Sequence, residues 1–240
     1  SGARCIVDMP SRSAAKEAIS GLAGQELLGH EMEIEVAREP GKGGGGGRGG
    51  KRTDLVTIYD PTSLSVSDEI EIPAKRLTGM PKGTQAALIG EEERFLGIYN
   101  FTPAQSVSIV DLEKRVFVNE VATEGCGFVV PNGARSFSSI CGDGSFLTSN
   151  LDASGALTSS TRTETMFDPV GDPVFETPVT YDDNAYFLSF SGKLLPVNIG
   201  EKQISAGDWL SLATTEDEKS WRPGGITPMT SDTNGNVYVL

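Results

Sequence analysis

Along the last three-quarters of the chain, apolar and aromatic runs alternate with short turns rich in Asp, Glu, Asn and Gly. Two series of such turns interleave. The first series lies at Glu91–Glu93, Asn132–Gly133, Asp182–Asn184 and Asp232–Gly235, with centres at 92, 133, 183 and 233 that are 41, 50 and 50 residues apart. The four turns of the second series begin at Asp60, Asp111, Asp152 and Asn198, which are 51, 41 and 46 residues apart. Each turn joins two strand-like runs, so both series predict hairpins.

Two hairpins in each 40–50 residues amount to four strands per repeat, which is the period of a β-propeller blade. A single four-stranded sheet cannot bury both of its faces, so such sheets stack on one another around an axis. We predict an outer hairpin over 53–72, complete blades at about 85–121, 126–165 and 178–204, and the start of a further blade over 226–240. The alternative is a β-sandwich, although its turns are more closely spaced.

The first 52 residues have a different pattern. Ile6–Met9 predicts a strand, Ser11 a helix cap, and apolar residues at helical spacing a helix that ends at Gly24. Leu27–Glu31 predicts a turn, and Met32–Val36 alternates as a second strand. We therefore divide the chain into an α/β segment over 1–40, a flexible Gly/Arg-rich linker over 41–52 and the propeller over 53–240.

Charge and residue usage exclude several kinds of site. Residues 53–240 carry a net charge of −14, against +1 for residues 1–52, which suits solubility or a basic partner. The only histidine is His30, so a His-ligated metal or a Ser-His-Asp triad is impossible in 53–240. Asp182–Asp183 is a carboxylate pair at a turn, where Asp is favoured for backbone reasons. We predict no catalytic, cofactor-binding or metal-binding residues, and no apolar run is long enough to span a membrane.

Cys126 and Cys141 flank the second turn of the first series. A turn centred on Gly133–Ala134 would place the two cysteines directly opposite each other, within disulfide reach, whereas a turn on Asn132–Gly133 would leave them diagonal. The alternative is a pair of buried reduced thiols. We favour the disulfide, which predicts an oxidising compartment.

Several segments of the second part resemble the heavy chain of the quinoprotein amine dehydrogenases, the family of methylamine and aromatic amine dehydrogenases. These segments are Arg52–Asp54, Val56–Pro61, Ser67–Pro73, Phe101–Ala104, Val110–Glu113, the cysteine pair followed by Gly142–Ser145, and Trp221–Gly225. The resemblance spans about 52–240, roughly the middle half of a family heavy chain. It implies that the chain forms about four blades of a seven-bladed periplasmic propeller.

The resemblance also implies a function and partners. A family heavy chain supports a light chain that carries tryptophan tryptophylquinone, in a heterotetramer that oxidises primary amines to aldehydes and passes electrons to a cupredoxin. This chain would then be a non-catalytic subunit, with no cofactor of its own. Trp209 and Trp221 would be structural, and 205–225 resembles a helical insertion between blades. A generic propeller scaffold for protein interactions is the alternative.

Residues 1–40 resemble the C-terminal half of an RNA-recognition motif, a ferredoxin-like fold. The stretches 18–29 and Ile34–Arg38 carry this resemblance, and Gly41–Gly50 is similar to RGG tails. The positions that would stack on bases hold Arg4 and Ile6, so only weak RNA contacts are expected. The candidate contacts are Arg4, Arg38, Lys42, Arg48, Lys51 and Arg52. A cytoplasmic RNA-binding protein is thus a second alternative, and we expect the whole chain to be a fragment with a join near residue 50.

Overall fold

The computed structural model describes residues 26–27, 30–31, 53–74, 84–90, 93–200, 204–212, 216 and 220–240. The chain divides into two compact units, 1–52 and 53–240. In the first unit, strand β1 (Glu26–Leu27) pairs antiparallel with β2 (His30–Glu31), where a turn is predicted. The strands predicted at 6–9 and 32–36, the helix ending at Gly24 and the linker over 41–52 lie outside the described residues.

The described part of the second unit contains no helix, and its strands form five antiparallel sheets in chain order. The first sheet contains β3 (Asp54–Tyr59) and β4 (Val66–Ile72), and the second contains β5 (Ala86–Ile89), β6 (Phe95–Asn100), β7 (Ser106–Asp111) and β8 (Val116–Ala122). The third contains β9 (Cys126–Asn132), β10 (Ser136–Cys141), β11 (Phe146–Leu151) and β12 (Leu157–Arg162). The fourth contains β13 (Val179–Tyr181), β14 (Asn184–Leu188), β15 (Lys193–Asn198), β16 (Ser205–Ala206) and β17 (Leu210–Ser211), and the fifth contains β18 (Met229–Ser231) and β19 (Val237–Val239).

Aspartates close three turns of the second series by the same local mechanism. Asp60 Oδ1 accepts hydrogen bonds from the backbone N–H groups of Thr62 and Ser63. Asp111 and Asp152 also accept backbone N–H groups from two to four residues ahead. A carboxylate that satisfies turn N–H groups favours a reversal over continued strand. This local chemistry fixes where these three outer hairpins turn.

Four hydrophobic clusters fill the spaces between successive sheets, and each cluster draws buried residues from two neighbouring sheets. Their central members are Ile70 and Ile72 with Ile98 and Val110; Ile89 and Val107 with Val129 and Phe137; Val130 and Phe146 with Phe187 and Leu195; and Val179 and Leu188 with Met229. The inner strands of neighbouring sheets pack on each other, β5 on β9 and β13 on β18. The outer strand β4 packs on the outer strand β8.

This serial stacking identifies a partial β-propeller and confirms the mainly β fold class that the sequence predicts. A β-sandwich has two facing layers, whereas here each sheet is covered by the next one along the chain. The sheet limits are 86–122, 126–162 and 179–211. The first two lie within a few residues of the predicted blades, and the third extends seven residues past its predicted limit because β17 joins the sheet. The turn chemistry and the apolar runs therefore set the same boundaries.

The prediction of a helical insertion over 205–225 is wrong for the residues that the structure describes there. β16 and β17 both pair with β15, with Ala206 opposite Val197 and Ser211 opposite Lys193. Between them, Gly207 N donates to Pro196 O at 2.8 Å. Pro196 has no backbone N–H to donate to the strand that pairs with β15 on this side. The outer strand is therefore interrupted between β16 and β17.

Candidate functional site at the disulfide-bonded end of the third sheet

A disulfide joins the first residue of β9 to the last residue of β10. Cys126 and Cys141 are directly opposite partners in the sheet, with their Cα atoms 3.9 Å apart. Both residues are buried, at 1% and 2% exposure. The predicted disulfide is therefore confirmed, and it closes the end of the hairpin that is remote from the β9–β10 turn.

The cysteines pair in the register predicted for a turn on Gly133–Ala134, but the register next to the turn is different. Next to the turn, Asn132 pairs with Ser136, so the turn is centred on Ala134 and not on Gly133–Ala134. A β-bulge then places both Phe128 and Val129 opposite Ser139, and beyond it Cys126 faces Cys141. Phe128 has a φ of 71°, and the Ser139 hydroxyl donates to its carbonyl oxygen at 2.8 Å. The bulge thus supplies the one-residue shift that the pairing requires.

The bulge also connects the third sheet to the second. Val129 N donates to the carbonyl oxygen of Thr84 at 2.8 Å, just ahead of β5. Beside it, the rings of Tyr99 and Phe128 lie 5.4 Å apart between centroids. Burial raises the pKa of the Tyr99 phenol above its ordinary value. A single irregularity in β9 therefore aligns the cysteines and holds the neighbouring inner strands together.

Arg162, the last residue of β12, reaches across the end of the same sheet to the disulfide. Its Nη2 donates to Cys126 Sγ at 3.2 Å and to the Glu124 carbonyl oxygen at 3.3 Å. Its Nη1 donates to Asp143 Oδ2 at 3.0 Å. Hydrogen bonds from Ser145, first its hydroxyl and then its backbone N–H, lower the pKa of Asp143, and the charge of Arg162 adds to this. Arg162 therefore links the outermost strand to the β10–β11 turn and to β9.

A second polar cluster lies at the opposite end of the sheets. Arg94 binds the buried carboxylate of Asp111 through both Nε and Nη2, the shorter contact being 2.6 Å. Its Nη1 donates to Ala153 O in the third sheet at 3.4 Å. Asn119 Nδ2 donates to Gly155 O, also in the third sheet, at 3.0 Å. The turn Asp152–Gly155 is thus held on the second sheet by two side chains.

Comparison with known protein families agrees with this architecture. Residues 47–240 match the family model of the methylamine dehydrogenase heavy chain (MADH). The chain belongs to this heavy-chain family.

Curated relatives of the chain are methylamine dehydrogenase heavy chains. The methylamine dehydrogenase heavy chain of Methylobacillus flagellatus is 29% identical over 196 residues, covering 80% of this chain and 48% of the relative. That of Paracoccus versutus is 28% identical over 182 residues, covering 73% and 41%. The chain therefore spans about half the length of the curated relatives it matches.

Among solved structures, the hydrazine synthase of Kuenenia stuttgartiensis overlaps 60% of this chain and 46% of its own, with a TM-score of 0.40 and 8% identity. The Cps50 (Swd1) β-propeller domain of Myceliophteria thermophila overlaps 66% and 46%, with a TM-score of 0.37 and 15% identity. At these values the overlaps add nothing to the assignment, which rests on the family match.

The carboxylate pair Asp182–Asp183 lies in the turn between β13 and β14 of this heavy-chain family member. Among the residues that the structure describes, no group of three or more His, Cys, Asp or Glu could hold a metal ion. The Asp183 carbonyl oxygen accepts the Ile199 N–H at 2.7 Å, and a Cβ at position 200 would lie 2.5 Å from Asp183 Cγ. The backbone of Asp183 therefore extends the pairing of β14 with β15, and its side chain packs against Gly200. In the same described part, no helix is long and apolar enough to cross a membrane.

The two tryptophans differ in their surroundings. The Trp221 ring packs directly on Gly192, where a Cβ would lie 2.4 Å from ring carbon Cζ3. Trp209 lies between β16 and β17 and is 37% exposed. Packing against a glycine is a structural role for Trp221.

Sequence reasoning singled out both cysteines but missed Arg162 and Arg94. Asp143 and Ser145 lie in a segment that carries the family resemblance, whereas Arg162 ends an ordinary Ser/Thr-rich strand. No local signal marks an arginine whose partners are 19 and 36 residues away. The six candidate RNA contacts, Arg4, Arg38, Lys42, Arg48, Lys51 and Arg52, all lie outside the described residues. RNA binding by 1–52 stays a prediction, to be tested by salt-sensitive binding of single-stranded RNA.

Proposed function

We propose that this chain is part of the structural heavy-chain subunit of an amine dehydrogenase. The observation that carries the proposal is the family match over residues 47–240, within which the described residues form stacked antiparallel sheets, two of them with four strands. In this role the chain is a non-catalytic subunit and contributes a rigid surface rather than reacting groups.

The partner in this proposal is a small light chain that carries tryptophan tryptophylquinone, with two heavy and two light chains in a heterotetramer. The quinone of that partner would take two electrons and two protons from a primary amine and water, which yields the aldehyde and ammonia. The electrons would then pass singly to a cupredoxin. The heavy-chain relatives are named for methylamine dehydrogenase, which supports an amine as the substrate class.

The contacts between sheets support a rigid supporting role. The Asp152–Gly155 turn is fixed on the second sheet by Arg94 and Asn119, and β9 is fixed to the segment ahead of β5 by the Val129 N–H. Bonds of this kind couple neighbouring sheets at both ends, while the hydrophobic clusters couple them in the middle. A partner seated on such a frame is held in one geometry, which a site for electron transfer requires.

We place the protein in the periplasm. Disulfides persist in oxidising compartments and are rare in the bacterial cytoplasm, so the Cys126–Cys141 bridge supports this location. The net charge of −14 over 53–240 would suit basic partners there. Osmotic-shock fractionation of the source cells tests the location, and recovery of the chain only with the cytoplasmic fraction would overturn it.

The test of the function is purification of the tagged chain, with its genomic reading frame intact on both sides, from source cells grown on a primary amine. We expect a small cysteine-rich chain to co-purify, to react with a hydrazine probe for quinone carbonyls, and to reduce a redox dye only when amine is added. Cells grown without amine, and an unrelated tagged periplasmic protein, are the controls. A preparation with neither the small chain nor amine-dependent dye reduction would contradict the proposal, and co-purification of some other protein would favour the generic scaffold.

A further inference from the structure

The two sulfur atoms of the disulfide lie in different electrostatic surroundings. Arg162 Nη2 lies 3.2 Å from Cys126 Sγ, whereas Cys141 Sγ lies 3.7 Å from the carbonyl oxygen of Ser139. A guanidinium stabilises a thiolate beside it, and the negative end of a carbonyl dipole opposes one. The Glu124 carbonyl oxygen is 3.9 Å from Cys126 Sγ, but it accepts a hydrogen bond from the same Arg162 Nη2. The positive charge therefore favours Cys126.

The burial of both cysteines strengthens the effect of this electrostatic difference. Cys126 and Cys141 are 1% and 2% exposed, so a thiolate formed at either sulfur would be shielded from water and would need a charged partner. Among the hydrogen bonds of the described residues, Arg162 donates directly to Cys126 Sγ and not to Cys141 Sγ, so its charge acts more strongly on Cys126. Its side chain is 41% exposed and pairs with Asp143, so solvent and the carboxylate moderate its effect without reversing its sign.

We propose that Arg162 makes Cys126 the thiolate-forming sulfur of this pair, so that thiol exchange opens and closes the bridge through Cys141. When the end of the sheet opens locally, an external thiolate attacks Cys141 Sγ and forms a new S–S bond with it. The bond between Cys141 and Cys126 breaks, and its electron pair leaves on Cys126 Sγ beside the guanidinium. Closure is the reverse step, in which the Cys126 thiolate attacks the mixed disulfide on Cys141 and expels the external thiolate. No other oxidant or reductant enters either step.

The pKa of the leaving thiol decides which of the two sulfurs is attacked. A thiol with a lower pKa leaves faster from a disulfide, and the charge beside Cys126 lowers the pKa of its thiol. Removal of that charge should raise the leaving-group pKa by about one to two units, which slows opening through Cys141 by about 3- to 10-fold. Arg162 is thus a positioning and charge-stabilising residue for the bridge and does not itself react.

The first experiment uses the oxidised full chain. It is incubated with reduced glutathione under native conditions, quenched with acid and mapped by peptide mass spectrometry, which also separates Cys5. We expect glutathione on Cys141 and a free thiol on Cys126. Equal labelling of the two, or glutathione mainly on Cys126, would overturn the proposal.

Variants separate the charge from a purely structural role. Arg162→Gln should abolish the preference for Cys141, whereas Arg162→Lys, which keeps the charge, should retain most of it. Arg135→Gln is the matched control, because Arg135 lies in the β9–β10 turn at the other end of the same sheet. If Arg162 only held the turn in place, Arg162→Gln would speed opening without changing which sulfur carries glutathione, and the proposal would be wrong.

A second measurement is independent of exchange. In a Cys141→Ser chain whose fold is checked by near-ultraviolet circular dichroism, the rate of alkylation of Cys126 by iodoacetamide is followed against pH. Arg162→Gln should raise the pKa of this thiol by about one to two units, because it removes the neighbouring positive charge. An unchanged pKa contradicts the proposal. If this variant does not fold, the glutathione experiment on the unaltered cysteines decides alone.

Discussion

Arg94 and Asp111 form a two-point ion pair across the hairpin formed by β6 and β7, from positions 17 residues apart. The carboxylate of Asp111 is 1% exposed, and it also accepts the backbone N–H groups of Glu113 and Lys114. Hydrogen bonds from the Arg94 guanidinium hold the pKa of Asp111 below its ordinary value. One buried carboxylate thus closes its own turn and positions the arginine that reaches the third sheet.

Asp111→Ala should strongly destabilise the second sheet. The substitution leaves the Arg94 charge partly buried without this partner and removes the acceptor of two turn N–H groups. Breaking a buried pair in this way costs about 3 kcal/mol of unfolding free energy. Urea unfolding followed by circular dichroism measures the loss.

Glu113→Gln is the matched control for that substitution. Glu113 also contacts Arg94, at 3.1 Å, but its side chain is 72% exposed. An exposed ion pair contributes less than about 1 kcal/mol, so the urea midpoint should scarcely move. Equal effects of the two substitutions would show that burial does not set the strength of the Arg94 contacts.

The stability of the protein should fall in acid, between about pH 4 and pH 2. Hydrogen bonds from Asn236 lower the pKa of Asp232 to about 2, against 3.8 for the free side chain. Hydrogen bonds also lower the pKa of five further aspartates, namely Asp60, Asp111, Asp143, Asp152 and Asp168.

The sign follows from proton uptake. Below the unfolded pKa, the unfolded chain binds protons that the folded chain does not, so falling pH favours unfolding until the folded pKa values are passed. Urea midpoints measured through this range should decline steadily with pH. Asp111→Asn should reduce the steepness of that decline, and a midpoint that stayed constant down to the lowest pH would refute the assignment.

Gly155→Ala should weaken the contact between the second and third sheets. Gly155 has a φ of 84°, and a Cβ there would lie 2.7 Å from Phe95 Cε1. Left-handed backbone strain and the overlap together should cost about 2–4 kcal/mol of unfolding free energy. Thermal unfolding measures the effect.

Substitutions at two other glycines separate the backbone strain from the steric overlap. Gly225 has a φ of 99° with nothing within 4 Å of a built Cβ, so Gly225→Ala should show the backbone strain alone. Gly224 has neither feature, and Gly224→Ala should be close to neutral. A loss at Gly155 no larger than that at Gly225 would mean that the Phe95 overlap relaxes without cost.

Removal of the disulfide should destabilise the chain through its unfolded state. The bridge closes a segment of 15 residues, and loss of such a loop costs roughly 3 kcal/mol. We expect Cys126→Ala with Cys141→Ala to lower the urea midpoint accordingly. Thiol titration of the denatured, unreduced protein should find one free thiol among the three cysteines, and three free thiols would contradict the bridge.

Much of the fold could be predicted because it depends on local chemistry. Asp60, Asp111 and Asp152 stand where their carboxylates close turns, and apolar runs of strand length lie on either side. The limits of the sheets follow from that spacing. The failed prediction, a helical insertion over 205–225, concerned a segment whose structure depends on pairing with β15 and on the missing N–H of Pro196.

The sequence by itself determined the four-stranded period, the position of each turn and the pair of cysteines, because a residue and its near neighbours decide these. Only the tertiary structure decided that Arg94 reaches Asp111 and Ala153, that a bulge at Phe128 sets the cysteine register, and that Arg162 lies against Cys126. These contacts join residues far apart in the chain. Their geometry depends on how whole sheets twist and stack, which local patterning does not specify.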